Sequence, residues 1–242
     1  MNDISIVTYT NSNCKDIWPM YFGQLKKYLP NIKSYIISDE NPNISESFFI
    51  KYNNSEPYYV HWLNALKHIQ EEYIIYSQED FVLYDFVNQQ MIKSSVEFLK
   101  KEGYSYVRPI RCGFDSKLLK IKECYYNVDK NTDDIFQMQI TLWKKQDFIL
   151  VYEKTKSEKW YENSKWREVC RYNNINGAFM YNNEKKRGQY HYDSSIYPYM
   201  CTAISKGKWN MNEYGEKLKE LFNIYNVNYK KRGLRLDYGV YT

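Results

Sequence analysis

Along the first half of the chain, short apolar runs alternate with segments whose apolar residues return at helical spacing. Segment 3–9, DISIVTY, reads as a buried strand. It opens into Thr8-Tyr9-Thr10-Asn11-Ser12-Asn13, a stretch of turn formers. Residues 16–29 place Ile17, Tyr21, Leu25, Tyr28 and Leu29 on one helical face, and Pro30-Asn31 ends that helix. Segment 33–38, KSYIIS, predicts a second strand that runs out into Asp39 and Glu40, followed by a turn at Asn41-Pro42-Asn43. Ser55-Glu56-Pro57 predicts a helix start with Pro near the first helical position, and Tyr59, Trp62, Leu63, Leu66 and Ile69 continue it. Segment 73–77, YIIYS, is a third strand, with Gln78-Glu79-Asp80 at its end. Ile92, Val96 and Leu99 mark a further helix closed by Gly103, and 104–108 is a fourth strand. This alternation predicts an α/β architecture with a mainly parallel sheet.

The second half is less regular. Segment 135–143, IFQMQITLW, reads as a strand, residues 145–170 carry helical patches, and 175–181 and 189–204 are mixed. Tyr214, Leu218, Leu221, Phe222 and Tyr225 define a closing helix, and the tail from Lys230 to Arg235 is basic. Without repeats, low-complexity linkers or a clean boundary, residues 1–242 are expected to form one domain with two functional halves, 1–125 and 126–242.

Composition narrows the class. Of 242 residues, 43% are hydrophobic and 26% charged, which suits a globular core. No apolar run approaches the ~18 residues of a spanning helix. MNDISIVTYT lacks the basic-then-apolar pattern of a secretory leader. The five cysteines are scattered without zinc spacing and are expected to be reduced thiols, so a cytoplasmic location is expected. A net charge of +5 does not call for nucleic acid. The 27 Tyr, 11 Phe and 6 Trp invite two readings, a carbohydrate- or base-binding cleft or simple codon bias.

Three segments could carry chemistry. In 71–88, an apolar strand delivers Glu79 and Asp80 to its carboxyl end, where open α/β sheets bind ligands, and two carboxylates there suit a hard divalent cation that bridges phosphate oxygens. The plainer alternative is a strand end with solvated acids. In 187–209, His191 and Asp193 share a strand face and could converge on a metal or a hydroxyl, while Lys206 and Lys208 flank Gly207 in a manner that suits a diphosphate. The alternatives are a structural histidine and a solvated turn. In 158–168, Glu158, Glu162 and Glu168 interleave with Trp160 and Trp166, the pairing of carboxylate base and aromatic platform that a sugar acceptor needs. An amphipathic helix with Trp inward explains the same pattern. The P-loop, G-x-G-x-x-G, H-E-x-x-H and G-x-S-x-G motifs are absent, and His61 and His68, seven apart on one helix, read as packing residues.

The order of these segments resembles the nucleotide-diphospho-sugar transferase fold of the GT-A glycosyltransferases. The likeness rests on the first strand ending in Thr8-Tyr9-Thr10-Asn11, the second ending in Asp39, the helix from Tyr59 to Ile69, and the run into EDFVLYDFVN. Segments 136–143, 160–162 and 207–210 extend it. It implies a GT-A-like, Rossmann-like single domain that moves a sugar from a nucleoside diphosphate donor to a carbohydrate or lipid-linked glycan acceptor, in surface glycan synthesis. It implies a divalent metal, Mn²⁺ or Mg²⁺, at Asp80, with His191 as a further ligand. Gln78 stands where the family's metal motif starts with Asp, which puts strict metal dependence in question. Thr8, Tyr9, Thr10, Asn11, Asp39, Trp62, Glu79, Lys206 and Lys208 would bind the nucleotide sugar. Glu162 would be the base, with Asp193 and Glu158 behind it, and Trp160 and Trp166 would hold the acceptor. The basic tail is a candidate contact with the inner face of a membrane. The rival readings are a nucleotidyltransferase on a similar sheet, a glycan- or nucleic-acid-binding module, and a transferase-like domain without activity.

Overall fold

The computed structural model describes residues 3–112, 117–159, 163–188 and 191–236. Strands β1 (Ile4–Tyr9), β2 (Lys33–Ser38), β3 (Ser47–Lys51) and β4 (Tyr73–Gln78) form the parallel half of a nine-stranded sheet, in the spatial order β3-β2-β1-β4. In β1, β2 and β4 the β-branched and aromatic residues are covered on both faces, with Ile6, Val7, Ile37 and Ile74 among the most buried of the protein, while edge strand β3 is only partly covered. Helix α1 (Trp18–Tyr28) makes the β1-to-β2 crossover, and α2 (Tyr58–Leu66) lies between β3 and β4. Helix α3 (Gln89–Glu102) follows β4 and stops at Gly103, whose φ of +73° is the left-handed turn that lets a helix end.

The sheet continues with β8 (Thr141–Lys144), β5 (Tyr106–Arg108), β9 (Gly177–Met180), β7 (Tyr125–Asn127) and β6 (Leu119–Lys122). β8 is antiparallel to both neighbours, β4 and β5, while β9 is parallel to β5. The molecule is thus an α/β fold on a large mixed sheet flanked by helices. A small second sheet joins β10 (Ile204–Ser205), β11 (Lys208–Asn210) and β12 (Leu234–Arg235). Helix α4 (Lys145–Thr155), α5 (Asn163–Tyr172) and α6 (Met211–Ile224) complete the set.

Several expectations need correction. Pro57 stands near the first helical position as expected, one residue before α2, but the cap is tertiary: the helix's first N–H groups, on Tyr58 and Tyr59, donate to the carbonyls of Glu158 and Ser157. The strand expected over 135–143 is confined to its end. Asp133–Ile135 is a short 3₁₀ turn, tied down by Tyr106 Oη and Arg108 Nη2, which donate to the Ile135 and Asp134 carbonyls. Edge strand β3, with its short run Phe48-Phe49-Ile50, and the β6–β7 hairpin are further strands that the pattern above does not predict. α2 ends at Leu66, which leaves His68 exposed, so His61 alone packs inside.

The aromatic surplus is largely core. Trp62 and Trp166 are both 0% exposed, in a cluster with Tyr58, Phe148 and Tyr152 where α2, α4 and α5 meet. The expected roles of Trp62 against the nucleotide and Trp166 against an acceptor are therefore corrected: neither ring has a face open to a ligand.

Candidate functional site

The chain leaves β1 toward β2 on one side and returns with β4 on the other. The carboxyl ends of β1 and β4 therefore diverge and leave a crevice between their loops, the usual ligand position in an open α/β sheet. Thr8 to Cys14 line one side and Gln78-Glu79-Asp80 the other.

The loop after β1 is braced from β2. Asp39 accepts from Ser12 N and Ser12 Oγ, both at 2.7 Å, and from Asn54 Nδ2 at 3.1 Å. Burial would raise the Asp39 carboxyl, but these bonds outweigh it and hold it below the usual carboxylate range. Thr8 and Thr10 are buried: Thr8 Oγ1 shares a 2.8 Å bond with Tyr21 Oη, and Thr10 Oγ1 accepts from Trp18 Nε1 at 2.8 Å. They build the floor of the crevice, whereas Tyr9 and Asn11 keep open surface. Tyr9 stacks on Tyr52 with rings 5.3 Å apart and 3° from parallel. His61 Nε2 lies 2.9 Å from the Asn53 carbonyl, which can only accept, so the proton is on Nε2 and Nδ1 accepts from Tyr9 Oη at 2.9 Å. Burial pushes the His61 imidazole down, in keeping with that neutral form.

Glu79 and Asp80 are deeply embedded yet retain some solvent-accessible surface, the position of groups at the bottom of a cleft. Burial raises both carboxyls. Glu79 is opposed by hydrogen bonds with Cys14 and Thr10 and by the Arg232 charge; the Asp80 carboxyl, pushed further by Glu79, reaches about 7. Asp80 Oδ2 bonds Thr202 Oγ1 at 2.7 Å, while Oδ1 is buried without a hydrogen-bond partner. Gln78 turns back to donate to Tyr76 Oη at 2.6 Å. Burial and the neighbouring Glu79 raise the Cys14 thiol to about 12, so it is not a thiolate nucleophile.

Two oxygen donors with one orphaned oxygen suit Mg²⁺ or Mn²⁺, hard cations that take one or two carboxylates from a protein and the rest from water and substrate phosphates. No group of three His, Cys, Asp or Glu side chains is arranged to hold a metal among the described residues. His191 is 5% exposed, its Nε2 is 2.7 Å from Tyr214 Oη, and burial takes its imidazole down to about 4. No described hydrogen bond joins it to Asp80; the connection runs through Tyr214 Oη, which accepts from Cys201 N, to the adjacent Thr202. Asp193 is gripped by Arg187 through Nε at 2.6 Å and Nη2 at 2.8 Å, so its carboxylate is already engaged. Trp160 and Glu162 lie outside the described residues.

Lys206 and Gly207 are the two central residues of the β10–β11 hairpin, with φ of +51° and +75°. A Cβ on Gly207 would meet nothing within 4 Å, so the turn demands glycine for its backbone angle and not for close approach to a ligand. Lys206 and Lys208 are exposed on this hairpin. The basic tail is partly turned inward: Arg232 pairs with Asp16, and Arg235 is buried against Ser205. No helix among the described residues is long and apolar enough to cross a membrane.

Sequence reasoning missed Thr202, Asn210, Glu213 and Arg232. Asn210 Nδ2 donates to the Thr202 carbonyl and to Glu213 Oε2, both at 3.2 Å, and Glu213 Oε2 is 3.5 Å from His191 Nε2. Asn210-x-x-Glu213 is a legible helix-start pattern. Nothing in the sequence signals Thr202 or Arg232.

No family model and no curated protein matches this chain. Among solved structures it is similar to S. aureus TarS 1–349, at 11% identity and a TM-score of 0.49 over 94% of this chain and 66% of that one. It is similar to the bifunctional IspDF from Campylobacter jejuni, at 14% identity and 0.46 over 75% and 50%. A cytidylyltransferase from Leptospira borgpetersenii aligns at 12% and 0.47 over 98% and 99%. The chain spans half to two thirds of the length of the first two. Likenesses this distant carry no weight beside the geometry.

Proposed function

We propose that this protein transfers a sugar from a nucleoside diphosphate donor to a carbohydrate acceptor. The observation that carries the reading is the adjacent pair Glu79–Asp80 at the β1/β4 crevice, with Asp80 Oδ1 buried and unpartnered. A carboxyl oxygen left unsatisfied in a cleft costs on the order of 1–3 kcal/mol, which a bound cation would recover. A divalent cation held by these carboxylates would supply Lewis-acid neutralisation of the diphosphate. The chain's own residues do the rest. The Asp39–Ser12 brace fixes the loop that faces the nucleoside, the Tyr9 edge bounds the crevice, and the Lys206–Lys208 hairpin offers positive charge to the departing diphosphate.

Donor use as a diphosphate sugar is favoured over nucleotidyl transfer by the loop after β1. A triphosphate site there would want a glycine-rich, basic loop. TNSNCKD has no glycine, and its one lysine, Lys15, is paired with Glu40 at 2.6 Å. A lipid-linked glycan acceptor and a membrane contact through exposed Lys230 and Lys231 belong to the same reading.

Calorimetric titration with UDP, GDP and CDP, each with and without Mn²⁺, tests it on the wild type and Asp80→Asn. Selective, metal-enhanced binding that the variant loses supports a donor site. Absence of binding by all three nucleotides, with and without the metal, sinks it.

A further inference from the structure

Arg232 enters the acidic crevice from the far end of the chain. It stands in the turn before β12, where Gly233 N donates to the Tyr229 carbonyl and Trp209 N to the Gly233 carbonyl, so its backbone is fixed on both sides. Its side chain is 16% exposed and that of its partner Asp16 is 11% exposed. The guanidinium donates through Nε to Asp16 Oδ2 at 2.5 Å, and through Nη2 to Asp16 Oδ1 at 2.6 Å and the Asn13 carbonyl at 3.1 Å. The two Asp16 bonds occupy the Nε/Nη2 edge of the planar fork, and the Asn13 bond takes the remaining Nη2 hydrogen. Among the described residues Nη1 makes no hydrogen bond to an oxygen, and the Cys14 thiol lies beside both the Arg232 guanidinium and Glu79. The Arg232 charge is also felt at both Glu79 and Asp80, where it opposes the effect of burial.

A largely buried ion pair is a poor device for stability alone, because desolvation offsets most of the attraction and apolar packing would serve as well. A guanidinium clamped through Nε and Nη2, with Nη1 meeting no oxygen, is by contrast a pre-oriented oxyanion binder that needs little reorganisation when its ligand arrives.

We propose that Arg232 is a diphosphate-binding residue of the crevice, with Nη1 meeting a phosphate oxygen while Asp16 holds the Nε/Nη2 edge in register. This assignment rests on the reading of the crevice as a nucleoside diphosphate site. The ligand's phosphates would then lie between two cationic partners, the arginine on one side and whatever cation Glu79 and Asp80 carry on the other. The C-terminal segment would be part of the donor site, although its sequence carries no nucleotide motif.

The test is calorimetry with the nucleoside, its monophosphate and its diphosphate in the uridine, guanosine and cytidine series, with Mn²⁺ present. The proteins are wild type, Arg232→Gln, Arg232→Lys and Asp16→Asn, each with its melting temperature. Arg232→Gln is expected to weaken the diphosphate at least ~10-fold, the size of one lost charge-assisted bond, and to leave the nucleoside within about twofold. Arg232→Lys, which keeps the charge without the fork, should lose the diphosphate selectively but less; it carries the test if the Gln variant does not fold. Asp16→Asn keeps the cation but loosens its hold, and should weaken the diphosphate less than Arg232→Gln does while leaving the nucleoside within about twofold. A merely structural arginine predicts equal losses across the three ligands, and equal losses in the Arg232 and Asp16 variants; either result overturns the assignment. A wild type that binds no nucleotide overturns the donor-site reading itself, and this assignment with it.

Discussion

Thr202 Oγ1 sits 2.7 Å from Asp80 Oδ2 and 2.5 Å from the Ile204 carbonyl. A hydroxyl has one proton, and the carbonyl can only accept. Both contacts are satisfied at once when Thr202 donates to Ile204 and the Asp80 carboxyl carries the proton itself. That agrees with a carboxyl raised to about 7 by burial and by Glu79 beside it. The proton relieves the clash with Glu79 but leaves two acids embedded side by side at the bottom of the crevice, as groups kept for binding often are.

The first prediction follows from that conflict. Asp80→Asn removes one of two crowded acids while retaining hydrogen-bonding capacity toward Thr202. The variant should be more stable than the wild type by about 1 kcal/mol, a rise of ~2–4 °C in Tm for a chain of this size, while metal-enhanced nucleotide binding disappears. Calorimetric melting and nucleotide titration on one preparation check both halves. A lower Tm would mean that Asp80 is there to hold the fold.

A second prediction concerns acid. His191 is buried, and its imidazole falls from an ordinary 6.5 to about 4 in the folded protein. Between those two values the unfolded chain binds more protons than the folded one, so stability rises with pH across that window. The His191 contribution is complete above pH 6.5, declines as the pH falls, and is gone near 4, on the order of 3 kcal/mol in all. Urea midpoints measured from pH 7 to pH 4 should drop in the wild type and flatten in His191→Gln. Parallel curves for the two proteins would rule the assignment out.

The parallel half of the fold was legible because Ile4–Tyr9, Lys33–Ser38 and Tyr73–Gln78 are apolar runs too short for helices and punctuated by turn formers. The acids at the strand ends were legible for the same reason, since strand direction alone assigns Asp39, Glu79 and Asp80 to one edge of the sheet. Two kinds of information were not. Trp62 and Trp166 follow helical spacing whether their rings face a ligand or a core, and only the packing of α2 on α4 and α5 decides. The pairing of Arg232 with Asp16, 216 residues apart, is set by tertiary structure and leaves no local pattern in the sequence.

The aromatic cluster supplies a third prediction. Trp166 is 0% exposed, with its ring 4.6 Å from Phe136 edge-on and 5.4 Å from Tyr152. Trp166→Ala should cost about 3–5 kcal/mol through the cavity it leaves, with nucleotide affinity unchanged in the fraction that remains folded. Chemical denaturation measures the cost, and titration below the melting range measures the affinity. A stable variant with impaired binding of soluble glycans would restore the ring to an acceptor role.

The last prediction tests how the sheet fits together in its other half, between β5 and β9. Gly177 opens β9 opposite Tyr106 of β5, and a Cβ built there would lie 2.0 Å from Tyr106 Cζ and 2.2 Å from its Oη. The Tyr106 ring cannot simply swing away. It is 1% exposed, packed 4.4 Å from the Trp143 ring, and its hydroxyl donates to the Ile135 carbonyl. That bond ties the 3₁₀ turn at Asp133–Ile135 to the sheet. Gly177→Ala must therefore displace ring, turn or strand, and should destabilise the protein by about 1–3 kcal/mol or more, as overpacking does. Gly177→Ala combined with Tyr106→Phe removes the clashing hydroxyl but not the ring, so it should recover only part of the loss. Tyr106→Leu in place of Phe, which removes the ring itself, should recover more of the Gly177→Ala effect in a double-mutant cycle of urea midpoints. Additive losses in that cycle would show that β9 moves away from β5 instead, and that Tyr106 does not set the spacing of these strands.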